Sequence, residues 1–233
     1  MLTVGSLFSG IGGFDLGLER AGMEVRWQVE NNEYCRRVLQ KHWPAVPCHY
    51  DITTIDWASV PRVDLICGGF PCQPFSTASR GRRTANSLWG EMFKAISILK
   101  PAWVIGENVA GSADMVLKQV GVDLESIGYE VAPPLEIPAC AVGCDHWRPR
   151  YWILGYSHSN MQSGCAINAE MAIVKRIQHR PRRVRETHGV SNWMDRRRAI
   201  GNAVVPQIVE ALGRMILEAH HATDTGDRRP DQK

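Results

Sequence analysis

The opening of the chain constrains the fold most, because a strand pattern, a glycine-rich turn and a helix pattern follow one another directly. Apolar residues 2–8 predict a first strand, and Ser9-Gly10-Ile11-Gly12-Gly13 comes next. Residues 14–21 then predict a helix that stops at Gly22. In such a unit, bare backbone and the helix amino end can face a nucleotide ligand. The opening therefore predicts an α/β domain with a nucleotide-type site.

An acidic residue at the end of the second strand supports this interpretation. Residues 25–29 predict that strand, and Glu30 follows it, 20 residues after Gly10. A carboxylate at this place can accept hydrogen bonds from ribose hydroxyls. The spacing departs from strict G-x-G-x-x-G because Asp15 stands at the third glycine position. A 2′-phosphate would favour an arginine near Glu30, so the pattern disfavours NADP.

A proline-bounded turn presents one thiol. Residues 63–67 predict a strand that ends at two glycines, and residues 68–76 read Gly-Gly-Phe-Pro-Cys-Gln-Pro-Phe-Ser. Pro71 and Pro74 fix φ on both sides of Cys72 and remove two backbone donors, so the turn cannot continue a sheet or a helix. Such a turn can hold a nucleophile at the carboxyl edge of a sheet, where α/β proteins bind ligands.

A carboxylate follows another predicted strand, and two guanidinium groups precede a further one. The strand pattern over residues 103–106 ends at Glu107-Asn108-Val109, which would bring Glu107 and Cys72 to one edge of the sheet. His146-Trp147-Arg148-Pro149-Arg150 leads into a strand pattern over 151–155. Alternation places Arg148 and Arg150 on one face, where guanidinium groups suit phosphate or base-edge oxygens.

Length, charge and cysteine content bound the class of protein. The 233 residues suit one α/β domain, and no apolar run approaches the ~20 residues that span a bilayer. Residues 174–198 hold nine basic and two acidic residues, a net of +7, whereas the whole chain carries +3. Such a basic segment suggests nucleic-acid binding. Seven irregularly spaced cysteines predict reduced thiols in a cytoplasmic protein, and Cys140, Cys144 and His146 lack an evident fourth metal ligand.

Together these motifs resemble the DNA (cytosine-5)-methyltransferase family. The matching motifs, in chain order, are residues 8–13, Glu30, Asp51-Ile52, residues 69–76, Glu107-Asn108-Val109, Arg148-x-Arg150 and Gly201-Asn202-Ala203-Val204-Val205-Pro206. The resemblance implies a Rossmann-like sheet with helices on both faces and a small irregular target-recognition insertion. It implies a catalytic and cofactor-binding domain over 1–155, a recognition segment over 156–195, a returning helix over 196–221 and a disordered tail over 222–233.

The resemblance also implies the chemistry. Cys72 would attack C6 of a cytosine flipped out of duplex DNA, and C5 would take a methyl group from S-adenosylmethionine. Glu107 would hold N3 and the exocyclic amine, Arg150 the O2 atom, and Arg148 a neighbouring phosphate. The implied cofactor-binding residues are Phe8, Ser9, Gly10, Ile11, Gly12, Gly13, Glu30, Asn31, Asp51, Ile52, Pro71, Leu88, Asn202 and Ala203. The candidate DNA contacts are Gln73, Ser76, Arg80, Arg82, Arg83, Arg182, Arg183 and Arg185, the arginines at 80–83 lying in a predicted lid over 77–87.

Three departures from the family pattern matter. Asn31 stands where an aromatic residue often stacks on adenine, and His146 stands where glutamine usually precedes the arginine pair. The recognition segment of about 40 residues is short, which predicts a short target sequence because each well-read base pair contributes only ~1–3 kcal/mol. The short segment is similar to that of compact phage or prophage enzymes.

Other functions fit parts of the pattern. An RNA cytosine-5 methyltransferase would share every catalytic residue, and a decayed, non-enzymatic DNA-binding relative would lack Cys72 or Glu107. A dinucleotide oxidoreductase fits the glycine spacing poorly. We expect a monomer that acts on double-stranded DNA, separately from any cognate restriction endonuclease, with no metal and no membrane association.

Overall fold

The computed structural model describes residues 1–71, 88–109, 113–157 and 202–226. For residues 113–115 and 222–226 it describes the backbone only. The predicted Cys72 turn, the predicted lid over 77–87 and most of the predicted recognition segment lie outside the described residues. So do Gln73, Ser76 and the six arginines predicted to contact DNA.

Strands and helices alternate over much of the described chain, but β6 and β7 follow each other directly. The strands are β1 (Thr3–Leu7), β2 (Glu24–Val29), β3 (Cys48–His49), β4 (Leu65–Gly69), β5 (Trp103–Val109), β6 (Tyr129–Val131), β7 (Leu135–Pro138) and β8 (Pro149–Ser157). The α-helices are α1 (Gly13–Ala21), α2 (Glu33–His42), α3 (Trp89–Leu99), α4 (Ala113–Ser126) and α5 (Pro206–Gly226), and Ile52–Thr54 and Ala139–Val142 are 3₁₀ turns.

All eight strands form one sheet with the order β3-β2-β1-β4-β5-β8-β6, and β7 also pairs with β8. The strands from β3 to β5 run parallel, and β8 is antiparallel to β5. Helices α1 and α5 cover one face, and α3 and α4 cover the other. The strand order reverses between β1 and β4, and ligands bind beyond the carboxyl ends of strands at such a point. The predicted Rossmann-like α/β fold is confirmed.

Two predicted strand ends were wrong, and the difference affects the site. Gly68 and Gly69 continue β4 rather than turning the chain, and they pair with Gly106 and Glu107 of β5. Strand β5 likewise runs through Glu107 to Val109 instead of ending before it. A Cβ at Gly68 would lie 3.0 Å from the Leu7 carbonyl oxygen, so the glycines are required by close packing within the sheet.

The remaining differences lie in the carboxyl-terminal half. Strand β7 and the 3₁₀ turn after it were not predicted, because each is too short to show a periodic pattern of apolar residues. Strand β8 extends two residues past the predicted domain end at 155. Helix α5 continues to Gly226, although a disordered tail was predicted from residue 222. Adding a residue to an existing helix is favourable because each one contributes a further hydrogen bond.

Close contact between α1 and α5 joins the amino-terminal and carboxyl-terminal parts of the fold. A Cβ at Gly17 would lie 2.5 Å from Val209 Cβ and 2.6 Å from the Pro206 carbonyl oxygen. Leu18, Val209, Leu212 and Ile216 are fully buried around this crossing. The helices can approach this closely only because Gly17 has no side chain.

We expect Gly17→Ala to lower the free energy of unfolding by about 1–3 kcal/mol, because the added methyl group overpacks the helix crossing. The matched control is Gly121→Ala, at a helical position where a Cβ would meet nothing within 4 Å. That substitution should raise stability by about 0.5–1 kcal/mol through helix propensity alone. Urea unfolding measures both values. Equal effects of the two substitutions would contradict the packing described here.

Asp15, the residue that breaks the strict glycine spacing, is fully buried beneath the glycine turn. Its carboxylate accepts hydrogen bonds from Ser6 Oγ at 3.0 Å and from Gln28 Nε2 at 2.7 Å, and so ties α1 to both β1 and β2. Burial raises the pKa of Asp15 to about 6, against the lowering effect of these hydrogen bonds. Asp15 therefore serves the fold and does not face a ligand.

Candidate active site

A cavity of about 330 Å³ opens at the carboxyl ends of β1, β2 and β4. Its wall includes most of the residues that the sequence predicted to bind a cofactor: Phe8, Gly10, Glu30, Asn31, Asp51, Ile52, Pro71, Leu88, Asn202 and Ala203. It also includes five residues that the sequence did not single out: Val29, Asn32, Cys35, Tyr50 and Gly69. The volume lies at the small end of the range of about 300–1,000 Å³ for small-molecule sites.

Glu30 is held rigidly in this wall and is almost fully buried. Its Oε2 atom accepts a hydrogen bond from the Gly10 amide at 2.8 Å, and its Oε1 atom accepts one from the Asn32 amide at 2.7 Å. Each carboxylate oxygen has a second lone pair, so Glu30 can still accept two hydroxyl donors. Phe8 precedes this contact with φ of 52°, a strained value for a residue other than glycine, as is common at ligand sites.

Asp51 supplies a second fixed carboxylate to the same cavity. Its Oδ1 atom accepts hydrogen bonds from the Thr53 amide at 2.9 Å and from Thr53 Oγ1 at 2.8 Å. These hydrogen bonds lower the pKa of Asp51, so the group stays ionised. Ile52 is buried beside it and forms apolar wall.

Four predicted cofactor residues do not line the cavity. Ser9 is buried, and its hydroxyl donates a hydrogen bond to the Ser6 carbonyl oxygen at 3.0 Å. Ser9 therefore stabilises the glycine turn and does not face the cavity. Ile11 lies in the turn, outside the wall. A Cβ at Gly12 would meet the Trp43 ring at 2.3 Å, and one at Gly13 would meet the Val204 carbonyl oxygen at 2.6 Å. The latter two glycines therefore allow close packing behind the cavity.

Glu107 lies beside the cavity as a buried acid paired with an arginine. Arg150 Nε contacts Glu107 Oε1 at 2.9 Å, and both side chains are largely buried. A Cβ at Gly69 would lie 3.0 Å from Glu107 Oε2, so the strand that leads toward Cys72 passes directly against the acid. The chain reaches Cys72 three residues after Gly69.

Burial raises the pKa of Glu107 to about 6, although Arg150 and, to a lesser extent, Arg148 lower it. A carboxyl group with this pKa can be protonated or ionised near neutral pH at little cost, which suits proton transfer. The acid and the guanidinium pair predicted from the sequence therefore meet in one place.

Arg148 connects this acid to the carboxyl-terminal part of the cavity wall. It lies just before β8 with φ of 35°, so simple strand alternation does not describe it. Its Nη2 atom donates a hydrogen bond to the Ala203 carbonyl oxygen at 3.0 Å. The next residue, Val204, packs against both Gly13 and Gly69. The segment 202–204 thus contacts the glycine turn, the β4 end and the arginine pair.

Cys67 is excluded as the reactive thiol. It is fully buried, its sulfur contacts the Gly5 carbonyl oxygen at 3.7 Å, and burial raises its pKa well above the usual value. Within the described ranges Cys48, Cys67, Cys140 and Cys144 are free thiols. In the same part of the chain, no group of three or more His, Cys, Asp or Glu side chains could hold a metal ion. No helix among the described residues is both long and apolar enough to cross a bilayer.

The fold and the site define an α/β protein in which a cavity at the carboxyl ends of the strands adjoins a buried acid. Comparison with known proteins is consistent with this class. The family model described as C-5 cytosine-specific DNA methylase matches residues 2–192. The chain therefore belongs to the C-5 cytosine-specific DNA methylase family.

Several curated relatives are type II methyltransferases. M.HgiCII of Herpetosiphon aurantiacus is 32% identical over 159 residues, which cover 64% of this chain and 36% of that protein. M.NgoBI of Neisseria gonorrhoeae is 31% identical over 158 residues, covering 65% of this chain and 49% of that protein. The chain thus spans between a third and a half of the length of these relatives.

Solved structures share the fold. A DNA modification methyltransferase encoded within a prophage (E. coli) has a TM-score of 0.59 and 27% identity, covering 68% of this chain and 47% of that one. The S. pombe Dnmt2 methyltransferase has a TM-score of 0.58 at 20% identity, covering 67% of this chain and 51% of that one, and at that identity it supports the fold alone.

Proposed function

We propose that this chain transfers a methyl group from S-adenosylmethionine to C5 of a cytosine in duplex DNA, through a covalent bond between Cys72 and C6. One observation carries the proposal. The buried Glu107–Arg150 pair lies against Gly69, at the strand end that leads to Cys72 and borders the cavity. A nucleophile and a proton-donating acid can therefore act on the same cytosine ring, next to a cavity that can hold the cofactor.

The residue types match the needs of this reaction. C5 of cytosine is a weak nucleophile until the Cys72 thiolate adds to C6. As that bond forms, electron density moves toward N3, where the Glu107 carboxyl group donates its proton. The dry surroundings that raise the pKa of Glu107 favour this role, and Arg150 can hold the cytosine O2 atom while remaining paired with Glu107.

The end of the reaction restores the enzyme. C5 forms a bond to the methyl carbon, and the electron pair of the broken sulfur–methyl bond stays on the donor sulfur. A base then removes the C5 proton, the C5–C6 double bond re-forms, and the Cys72 thiolate leaves. N3 returns its proton to Glu107 and the base passes the C5 proton to solvent, so the protein itself gains and loses no net proton.

The cavity wall fits the methyl donor. S-adenosylmethionine supplies an electrophilic methyl group on a cationic sulfur when it is bound. Glu30, with both oxygens already oriented by amides, would accept the ribose hydroxyls, and Asp51 would accept the adenine amine. Phe8, Ile52 and Leu88 supply the apolar surface that such a ligand needs.

DNA binding is assigned to the parts of the chain beyond the described residues. Flipping a base out of the duplex costs a few kcal/mol, and the arginines of the predicted lid would offset this through phosphate contacts. We propose that residues 156–195 hold the short recognition segment, with Arg182, Arg183 and Arg185 among its contacts. Arg148 remains a candidate for a phosphate contact in addition to its bond with Ala203.

Expression in a host without DNA methylation, followed by base-resolution mapping of 5-methylcytosine, tests the function and the target together. We expect methylation at a site with fewer than six specified bases, and no transfer to transfer RNA by the purified protein. Methylation of transfer RNA but not of duplex DNA would favour the RNA alternative. A requirement for six or more specified bases would refute the prediction of a short site.

A further inference from the structure

Tyr50 is a large exposed aromatic residue in the cavity wall. It lies between β3 and Asp51, lines the cavity, and leaves 62% of its surface exposed. An aromatic ring so exposed at the rim of a ligand cavity has apolar area available for a ligand. Sequence patterns did not single it out, because a two-residue strand gives no period from which its direction could be judged.

Arg36 fixes the Tyr50 ring from outside the cavity. The guanidinium carbon of Arg36 lies 4.5 Å from the ring centroid, in a cation–π contact. Arg36 Nη1 also donates to the Asn31 carbonyl oxygen at 2.6 Å and approaches the Glu30 carbonyl oxygen at 3.3 Å. Arg36 itself does not line the cavity, whereas Tyr50 does, so this contact holds a ring that is part of the cavity wall.

The position of Tyr50 relative to Glu30 is set by the sheet. The Glu30 amide donates a hydrogen bond to the His49 carbonyl oxygen at 3.0 Å, so the Tyr50 backbone follows next to that of Glu30, and both residues line the cavity. A nucleoside whose sugar hydroxyls meet Glu30 would therefore carry its base toward Tyr50. Asp51, the next residue, offers an acceptor for an exocyclic amine at the edge of that base.

We propose that Tyr50, braced by Arg36, is the aromatic surface on which the purine ring of the cofactor stacks. Asn31, at the neighbouring position of the wall, has no ring and cannot provide this contact. The proposal rests on the proposed function for the identity of the nucleoside. It makes Tyr50 a binding residue that fixes where the base lies, without a part in the chemistry.

Isothermal titration calorimetry with S-adenosylhomocysteine tests the proposal on the full chain. We expect Tyr50→Phe to bind within about threefold of the unmodified protein and Tyr50→Ala to bind about 10- to 100-fold more weakly, the range of lost base–aromatic stacking. Arg36→Met, which keeps the aliphatic stem, should weaken binding by a few-fold. Asn31→Trp added to Tyr50→Ala should recover much of the affinity, because it returns a ring to the same wall.

The outcomes separate this inference from the proposed function. If the unmodified protein does not bind S-adenosylhomocysteine, the proposed function fails. If it binds and Tyr50→Ala binds equally well, the function stands and the role of Tyr50 is overturned. The same conclusion follows if Tyr50→Phe loses as much affinity as Tyr50→Ala, since the hydroxyl and not the ring would then matter. Thermal unfolding of each ligand-free variant should match the unmodified protein, because the side chain is exposed.

Discussion

Cys72→Ser is expected to abolish methyl transfer, by about 10⁴-fold or more, because it removes a covalent nucleophile. A serine hydroxyl is not ionised near neutral pH and cannot add to C6 as a thiolate does. The variant should still bind duplex DNA and S-adenosylhomocysteine, because serine and cysteine differ by a single side-chain atom. Tritium transfer from labelled S-adenosylmethionine to DNA, together with a mobility-shift assay, measures both properties.

Cys144→Ser is the matched control, because Cys144 is a partly buried free thiol near β8 and not in the cavity wall. It should keep full activity. If Cys72→Ser retained activity, or if both variants lost it equally, then a nucleophilic role specific to Cys72 would be ruled out.

Glu107→Gln is expected to lower kcat by about 10²- to 10⁴-fold, the usual contribution of a general acid. Glutamine has the same shape and can still donate a hydrogen bond to N3, but it cannot deliver a proton. It also leaves Arg150 without its buried carboxylate partner. The matched control, Glu136→Gln, changes an exposed glutamate on β7, which pairs with β8, and should leave kcat unchanged.

The pH dependence should change with this substitution. With a pKa of about 6, the protonated fraction of Glu107 falls roughly tenfold for each pH unit above that value. The thiolate fraction of Cys72 rises over the same range, so kcat/KM of the unmodified protein should pass through a maximum. In Glu107→Gln only the rising limb should remain. A profile with the same shape in both proteins would falsify the assignment of Glu107 as the acid.

The sequence allowed the order of elements and much of the cavity wall to be predicted, for local physical reasons. Apolar periodicity and the glycine-rich turn after the first strand indicate the α/β alternation. The same pattern places Glu30 at the end of the second strand. The family resemblance implied that Glu107 and Arg150 hold the same cytosine ring, and the structure shows their side chains in contact.

What could not be predicted depends on contacts between distant parts of the chain. The hydrogen bond from Arg148 to Ala203 joins residues separated by 55 positions, and no local pattern encodes it. Gly68 and Gly69 looked like a turn, but their lack of side chains serves packing inside the sheet. Asp15 is buried because β1, β2 and α1 surround it, and no local pattern shows that these three elements come together there. Tyr50 was not predicted as a site residue, because the preceding strand β3 has only two residues and shows no periodic pattern.

The most direct test uses duplex DNA whose target cytosine carries fluorine at C5. After methyl transfer, the fluorine cannot leave as a cation, so elimination stops and the protein remains joined to C6. Mass spectrometry of the digested complex should find the modified cytosine on Cys72, only when S-adenosylmethionine is present, and at a greatly reduced rate in Glu107→Gln. Methylation of ordinary DNA at the same site without any such adduct, or an adduct on another residue, would contradict the account.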